Sequence, residues 1–152
     1  MTTLSPAPAP AMRVVGEALR SGTLAGLAMI PFAAVFRAQG LRINEYGRKL
    51  LELVVGEVGH PLHDVLTFVE HMVISWVAAL PLLLVLDRVS GRWRRALVGA
   101  LYGASFYVAV NSLALPLLFG DPTPWKLGLQ VVFPSLVVHL VYGVTLALVA
   151  RR

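Results

Sequence analysis

Four mostly apolar stretches, at about 21–36, 65–86, 96–119 and 127–150, decide what this chain can become. A helix rising about 1.5 Å per residue needs about 20 such residues to cross roughly 30 Å of hydrocarbon. The last three stretches have that length unaided, and the first reaches it with help from Ala18 and Leu19 or from Gly40 and Leu41. In lipid every backbone N–H and C=O must find its partner within the chain, so segments of this kind are helices. Composition agrees, because 57% of the residues are apolar, 14% are charged and mean hydropathy is +0.75. The expected fold is therefore an all-α membrane protein with four transmembrane helices.

Residues 1–12, rich in Pro and Ala, offer no face to bury and are expected to be a disordered tail, leaving 13–152 as one transmembrane domain. Because Arg13 and Arg20 precede a segment of spanning length rather than a short apolar core, the N-terminus is expected to stay attached. The absence of cysteine excludes disulfides, thiolate chemistry and cysteine-held metal clusters. A net charge of +5 is not a nucleic-acid footprint here, since the basic residues sit in short clusters between apolar runs.

Those clusters set the orientation, because Lys and Arg resist translocation. The tail, the second loop and the C-terminus share one side and carry Arg13, Arg20, Arg88, Arg92, Arg94, Arg95, Arg151 and Arg152; the other side has Arg37, Arg42, Arg48, Lys49 and Lys126. Both termini are expected to be cytoplasmic. Trp93 among its arginines reads as an interfacial anchor. In the first outer loop Ile43, Tyr46, Leu50, Leu51, Val54, Val55 and Val58 recur at helical spacing, which predicts an amphipathic helix over about 42–58, aided by an Arg48–Glu52 pair. It lies in the interface or caps the bundle.

The chain also resembles itself. Gly22 and Gly26 open the first span as Gly99 and Gly103 open the third, and His71 with Ser75 in the second corresponds to His139 with Gly143 in the fourth. The first half is longer by the amphipathic segment. This predicts two parallel helix-pair repeats, over about 18–90 and 94–152. Small residues four apart let helix backbones approach closely, so the glycines read first as packing faces within the bundle and alternatively as a homodimer seam. Each span holds one proline, at Pro31, Pro81, Pro116 and Pro134.

The chemistry-bearing residues concentrate on two helix faces. His60, His63, Asp64, Thr67, His71, Ser75 and Ala78 fall within about 120° of one another at 100° per residue, with Glu70 beside His71. In the last span Ser135, His139, Tyr142 and Gly143 form a second polar stripe, within reach of Tyr102, Tyr107 and Asn111 of the third. Ionisable groups at this depth are costly and must turn inward to a partner or a water-filled cavity.

Several readings stay open. The histidines act as packing glue, hydrogen-bonded across helices. Alternatively Glu70, His71, Ser75, Asn111, His139 and Tyr142 line a pathway for protons or a small polar solute. A haem held by His71 and His139, or a divalent metal at His60, His63 and Asp64, is a third reading. Asp64 serves equally as helix N-cap. Partners beyond the lipid bilayer are a second copy or another membrane subunit, and no motif argues for an enzyme.

From about His71 to Arg152 the chain resembles the YagU-like family of bacterial inner-membrane proteins. The matching features are the His71 span, Gly99-Ala100-Leu101, Pro116, the Pro122/Pro124-Trp125 connection, His139 and the closing Arg151-Arg152. The resemblance implies a small multi-span inner-membrane protein connected with acid stress. The chain departs from that pattern in its short, cysteine-free first outer loop and in Val110 and Asn111, which stand where a third-span His is expected.

Overall fold

A computed structural model describes residues 10–44, 46–56 and 59–151. Among them are seven α-helices and one π-helical segment, and no strand. α1 (Pro10–Ala38), α3 (His60–Leu86), the continuous helix of α4 (Arg92–Phe106), π segment (Tyr107–Ala114) and α5 (Leu115–Phe119), and α7 (Leu129–Val149) are each long and apolar enough to cross a bilayer. α2 (Tyr46–Val55) and α6 (Pro124–Leu127) sit in the connections at one end, called here the α2 end. The start of α1, the end of α7 and the 87–91 turn occupy the other.

The spans are longer than the apolar stretches alone indicate, because polar residues extend each helix beyond the hydrocarbon. α1 starts at Pro10, so residues 10–12 are helical rather than part of an irregular tail; residues 1–9 lie outside the described residues. α2 is shorter than the expected 42–58, since residues 42–44 are irregular, Gly56 takes a left-handed φ of 76° that stops the helix, and 57–58 are not among the described residues. The N-cap assigned to Asp64 belongs to Gly59 instead. Pro61, pre-set for a first turn and with no N–H to orphan, lets α3 begin a turn earlier. Asp64 then lies inside the helix with its side chain 80% exposed.

α7 is the most buried span and lies between α1 and α4, while α3 packs chiefly along α1 and touches α4 and α7 only lightly. Two seams built on glycine hold this arrangement. A Cβ on Gly22 would come within 2.8 Å of the Ser75 carbonyl oxygen, and one on Gly26 within 2.6 Å of Ser75 Oγ. In the other pair Gly99 and Gly143 abut backbone to backbone, and Gly103 lies on the His139 carbonyl. Both glycine stripes thus make close helix contacts within one chain. Ala18, Ala25, Ala78, Ala79, Leu82, Leu83, Leu86, Leu146 and Ala147 fill the apolar interior towards the terminal end.

At that end the arginines do more than face headgroups. Arg20 Nη2 donates to Glu17 Oε1 at 2.6 Å and to the Val149 carbonyl at 2.5 Å, Arg95 Nη2 donates to the Ala150 carbonyl at 2.7 Å, and the Arg151 N–H donates to Glu17 at 2.9 Å. Cations here satisfy the unpaired last carbonyls of α7. Large side chains such as Leu24, Phe32, Val77, Leu84 and Leu117 face outward, a surface that suits acyl chains and would be untenable in water.

Candidate functional site

One cavity of about 880 Å³ lies in the half of the bundle nearest α2, between α3 and the α4–α7 pair, with α1 on its flank. Every residue of the polar face predicted on α3 lines it: His60, His63, Asp64, Thr67, His71, Ser75 and Ala78. Glu70, Asn111, His139 and Tyr142 line it as well, so the residues expected to form an intramembrane pathway meet at one place. The helical period that aligns them on α3 also turns them towards the gap that the light α3–α7 contact leaves.

The two imidazoles are anchored in the same way. His71 Nε2 lies 3.2 Å from the Gly26 carbonyl, and His139 Nδ1 lies 2.6 Å from the Ser135 carbonyl. A carbonyl only accepts, so in each ring the bonded nitrogen carries the hydrogen. The remaining nitrogens, Nδ1 of His71 and Nε2 of His139, have lone pairs and no hydrogen-bond partner among the described residues. They are the atoms that could take a proton, a donor group or a metal. The His139 ring is further held by Phe106 and Tyr107, with centroids 6.0 and 5.5 Å away. His139 therefore packs on third-span aromatics, while Tyr102 and Asn111 turn to other partners.

Two tyrosines make the floor. Tyr142 OH donates to the Ser75 carbonyl at 2.5 Å, and Tyr102 OH donates to the Ala78 carbonyl, joining α7 and α4 to α3 where the cavity stops. Ser75 Oγ donates back to the His71 carbonyl at 2.7 Å. Beyond this layer the interior is mainly apolar, with Ser21 buried in it and its hydroxyl donating to the Glu17 carbonyl.

The roof is α2 and the strand of chain before it. Asn44, which sequence reasoning missed, donates from its N–H to Ser135 Oγ at 3.1 Å and from Nδ2 to Asn111 Oδ1 at 3.3 Å. It thereby ties the loop down onto α7 and the π segment. Tyr46 is buried and stacks on Phe119 at 6.0 Å, and burial together with the nearby Asp121 carboxylate pushes its phenol pKa up. Lys49 makes an ion pair with Asp121 across the connections, and the predicted Arg48–Glu52 pair forms at 3.1 Å. The Glu70 carboxylate rests against the first turn of α2, where a Cβ on Gly47 would be 2.9 Å from Oε2.

The π segment is the other feature the sequence did not announce. Pro116 has no N–H for the Ser112 carbonyl and its ring crowds that carbonyl. The helix widens instead, and the Leu115 N–H reaches back five residues to the Val110 carbonyl. The wider turn places Tyr107, Asn111 and Ser112 together on the buried side.

His60, His63 and Asp64, the metal candidates, occupy the first turns of α3 at the cavity mouth, with His63 Nδ1 3.9 Å from Asp64 Oδ1. Among the described residues no group of three or more His, Asp or Glu side chains is placed to hold a metal ion. The four glycines lie in the seams and not on the cavity wall.

These features define a multi-pass integral membrane protein: a four-span helical bundle in a lipid bilayer, with a largely apolar cavity that carries polar and ionisable side chains let into one half. No protein-family model, curated protein or solved structure matches the chain.

Proposed function

We propose that this is an inner-membrane protein with both termini in the cytoplasm, whose cavity admits protons or a small polar solute from the opposite side. What carries the reading is the convergence of Glu70, His71, Ser75, Asn111, His139 and Tyr142 on one space about 880 Å³ in volume. Polar and ionisable side chains at membrane depth are costly, and lining a hydrated space is the arrangement that relieves the cost. The bias of arginines towards the terminal end supports the orientation. A passage would need the Tyr142 and Tyr102 layer to part, since their hydroxyls bridge α7 and α4 to α3. Anchored imidazoles with one open nitrogen each are suited to receive and pass a proton.

The test is flux in proteoliposomes between pH 5 and 8, with protein-free vesicles as background. We expect proton or solute movement that a His71→Ala, His139→Ala double variant reduces. Equal flux in parent, double variant and empty vesicles would refute the pathway.

A further inference from the structure

We propose that the cavity is a binding site for an organic cation, an ammonium or other onium group carried on an apolar body. The inference rests on the pathway reading and narrows its substrate class. Size is the first argument: about 880 Å³ falls in the range that encloses a multi-ring organic molecule and is far more than an inorganic ion or a single water fills. Charge is the second. Arg37, Arg48, Glu52 and Asp64 are exposed around the rim, and Arg48 is paired with Glu52. Below α2 the wall carries one carboxylate, Glu70, and among the described residues no cation or hydrogen-bond donor reaches it.

The remaining polar atoms favour the same sign. His71 Nδ1 and His139 Nε2 present lone pairs, because the opposite nitrogen of each ring donates to a backbone carbonyl. The Phe106 ring also lines the space, and aromatic faces attract onium groups. Met29, Ile30, Ala33, Val110 and Leu115 supply the apolar surface for the body of the ligand. An anion of equal size would meet Glu70 and two lone pairs with no fixed cation at that depth.

The experiment is equilibrium binding to the full chain in lipid nanodiscs, with empty nanodiscs subtracted. The probes are tetraphenylphosphonium, its anionic counterpart tetraphenylborate and the neutral triphenylphosphine oxide. We expect saturable binding of the cation, weakened about tenfold or more by Glu70→Gln and less by Glu70→Asp, with binding of the neutral compound indifferent to either change. A second measurement leaves Glu70 intact: in this cysteine-free chain, the cation should slow thiol modification of Thr67→Cys several-fold and tetraphenylborate should not.

No saturable cation binding, equal binding of all three probes, or equal protection by cation and anion would overturn the proposal. Cation binding without flux would leave this inference standing and remove the pathway. Proton flux without cation binding would do the reverse.

Discussion

Adding one methyl group to each glycine in turn separates the seams from the rest of the bundle. Gly16 lies in α1 with nothing within 4 Å of a built Cβ, so Gly16→Ala meets no neighbour and gains only helix propensity, about 0.5–1 kcal/mol. The same gain applies at the other helical glycines, so the difference from Gly16 isolates contact. At Gly26 the new methyl meets Ser75 Oγ at 2.6 Å and Met72 Cε at 3.1 Å, both side-chain atoms able to rotate away. At Gly22 it meets the Ser75 carbonyl oxygen at 2.8 Å, which moves only if α3 moves. At Gly103 it would collide with the His139 carbonyl still more closely, so α4 and α7 must separate. Overpacking costs typically about 1–3 kcal/mol, and backbone against backbone belongs at the upper end. The expected order of stability is Gly16→Ala above parent, Gly26→Ala near parent, then Gly22→Ala, then Gly103→Ala lowest by about 2 kcal/mol or more. Reversible unfolding in mixed micelles with rising dodecyl sulfate measures it. If Gly103→Ala were as stable as Gly16→Ala, the seam between α4 and α7 would not exist as described.

Accessibility checks the cavity directly: Thr67→Cys should react with a membrane-impermeant thiol reagent added from the side bearing α2, whereas Val77→Cys, 62% exposed but facing lipid, should not. Equal reactivity would mean the polar face is not hydrated. Tyr142→Phe removes the hydroxyl that donates to the Ser75 carbonyl and should cost about 0.5–1.5 kcal/mol in the same unfolding assay, a value near zero arguing against a closed floor. Lys49→Asp or Asp121→Lys alone should loosen α2, seen as faster amide hydrogen exchange across Tyr46–Val55, by less than about 1 kcal/mol because the pair is partly exposed. The double swap should restore protection, and no rescue would show that another contact holds the roof.

Much of this architecture is local in origin and therefore legible in the sequence. Apolar runs of spanning length, glycines four apart and a polar stripe at 100° spacing each depend on a single helix. All seven positions read on α3 do reach the cavity. The same is true of the Arg48–Glu52 pair, one turn apart on α2. What escaped is long-range or rests on competition between neighbours. Asn44 is a lone polar residue in a loop until folding brings Asn111 and Ser135 beneath it. Arg95 reads as part of an interfacial anchor and Arg20 as a flanking charge that sets orientation, because nothing local shows that the last carbonyls of α7 will lie beside them. Asp64 has the chemistry of an N-cap, yet Pro61 starts the helix first. Pro116 was visible, but a proline in a membrane helix can be accommodated by a kink, a water or a widened turn, and only packing selected the π segment.

The position of the cavity follows from where the glycines stop. α1 lies against α3 at Gly22 and Gly26, and the next turn brings Met29 and Ile30, which are too large for backbone contact and line the cavity. α4 lies against α7 at Gly99 and Gly103, and the next turns bring Phe106 and Val110 to the same cavity wall. On both sides the close approach ends at about one level, and the α2 half of the bundle is splayed by the side chains that follow. On α3 His60, His63, Asp64, Thr67 and Glu70, and on α7 Ser135, lie beyond that level, while Ser75, His139 and Tyr142 sit at it, so most of the cost of burying polar groups falls where the helices have already parted. Ile30→Gly with Phe106→Gly should therefore let the helices close further towards α2 and shrink the space. A Thr67→Cys reporter that reacted as fast in that background as in the parent would separate cavity from seam and refute this account of its origin.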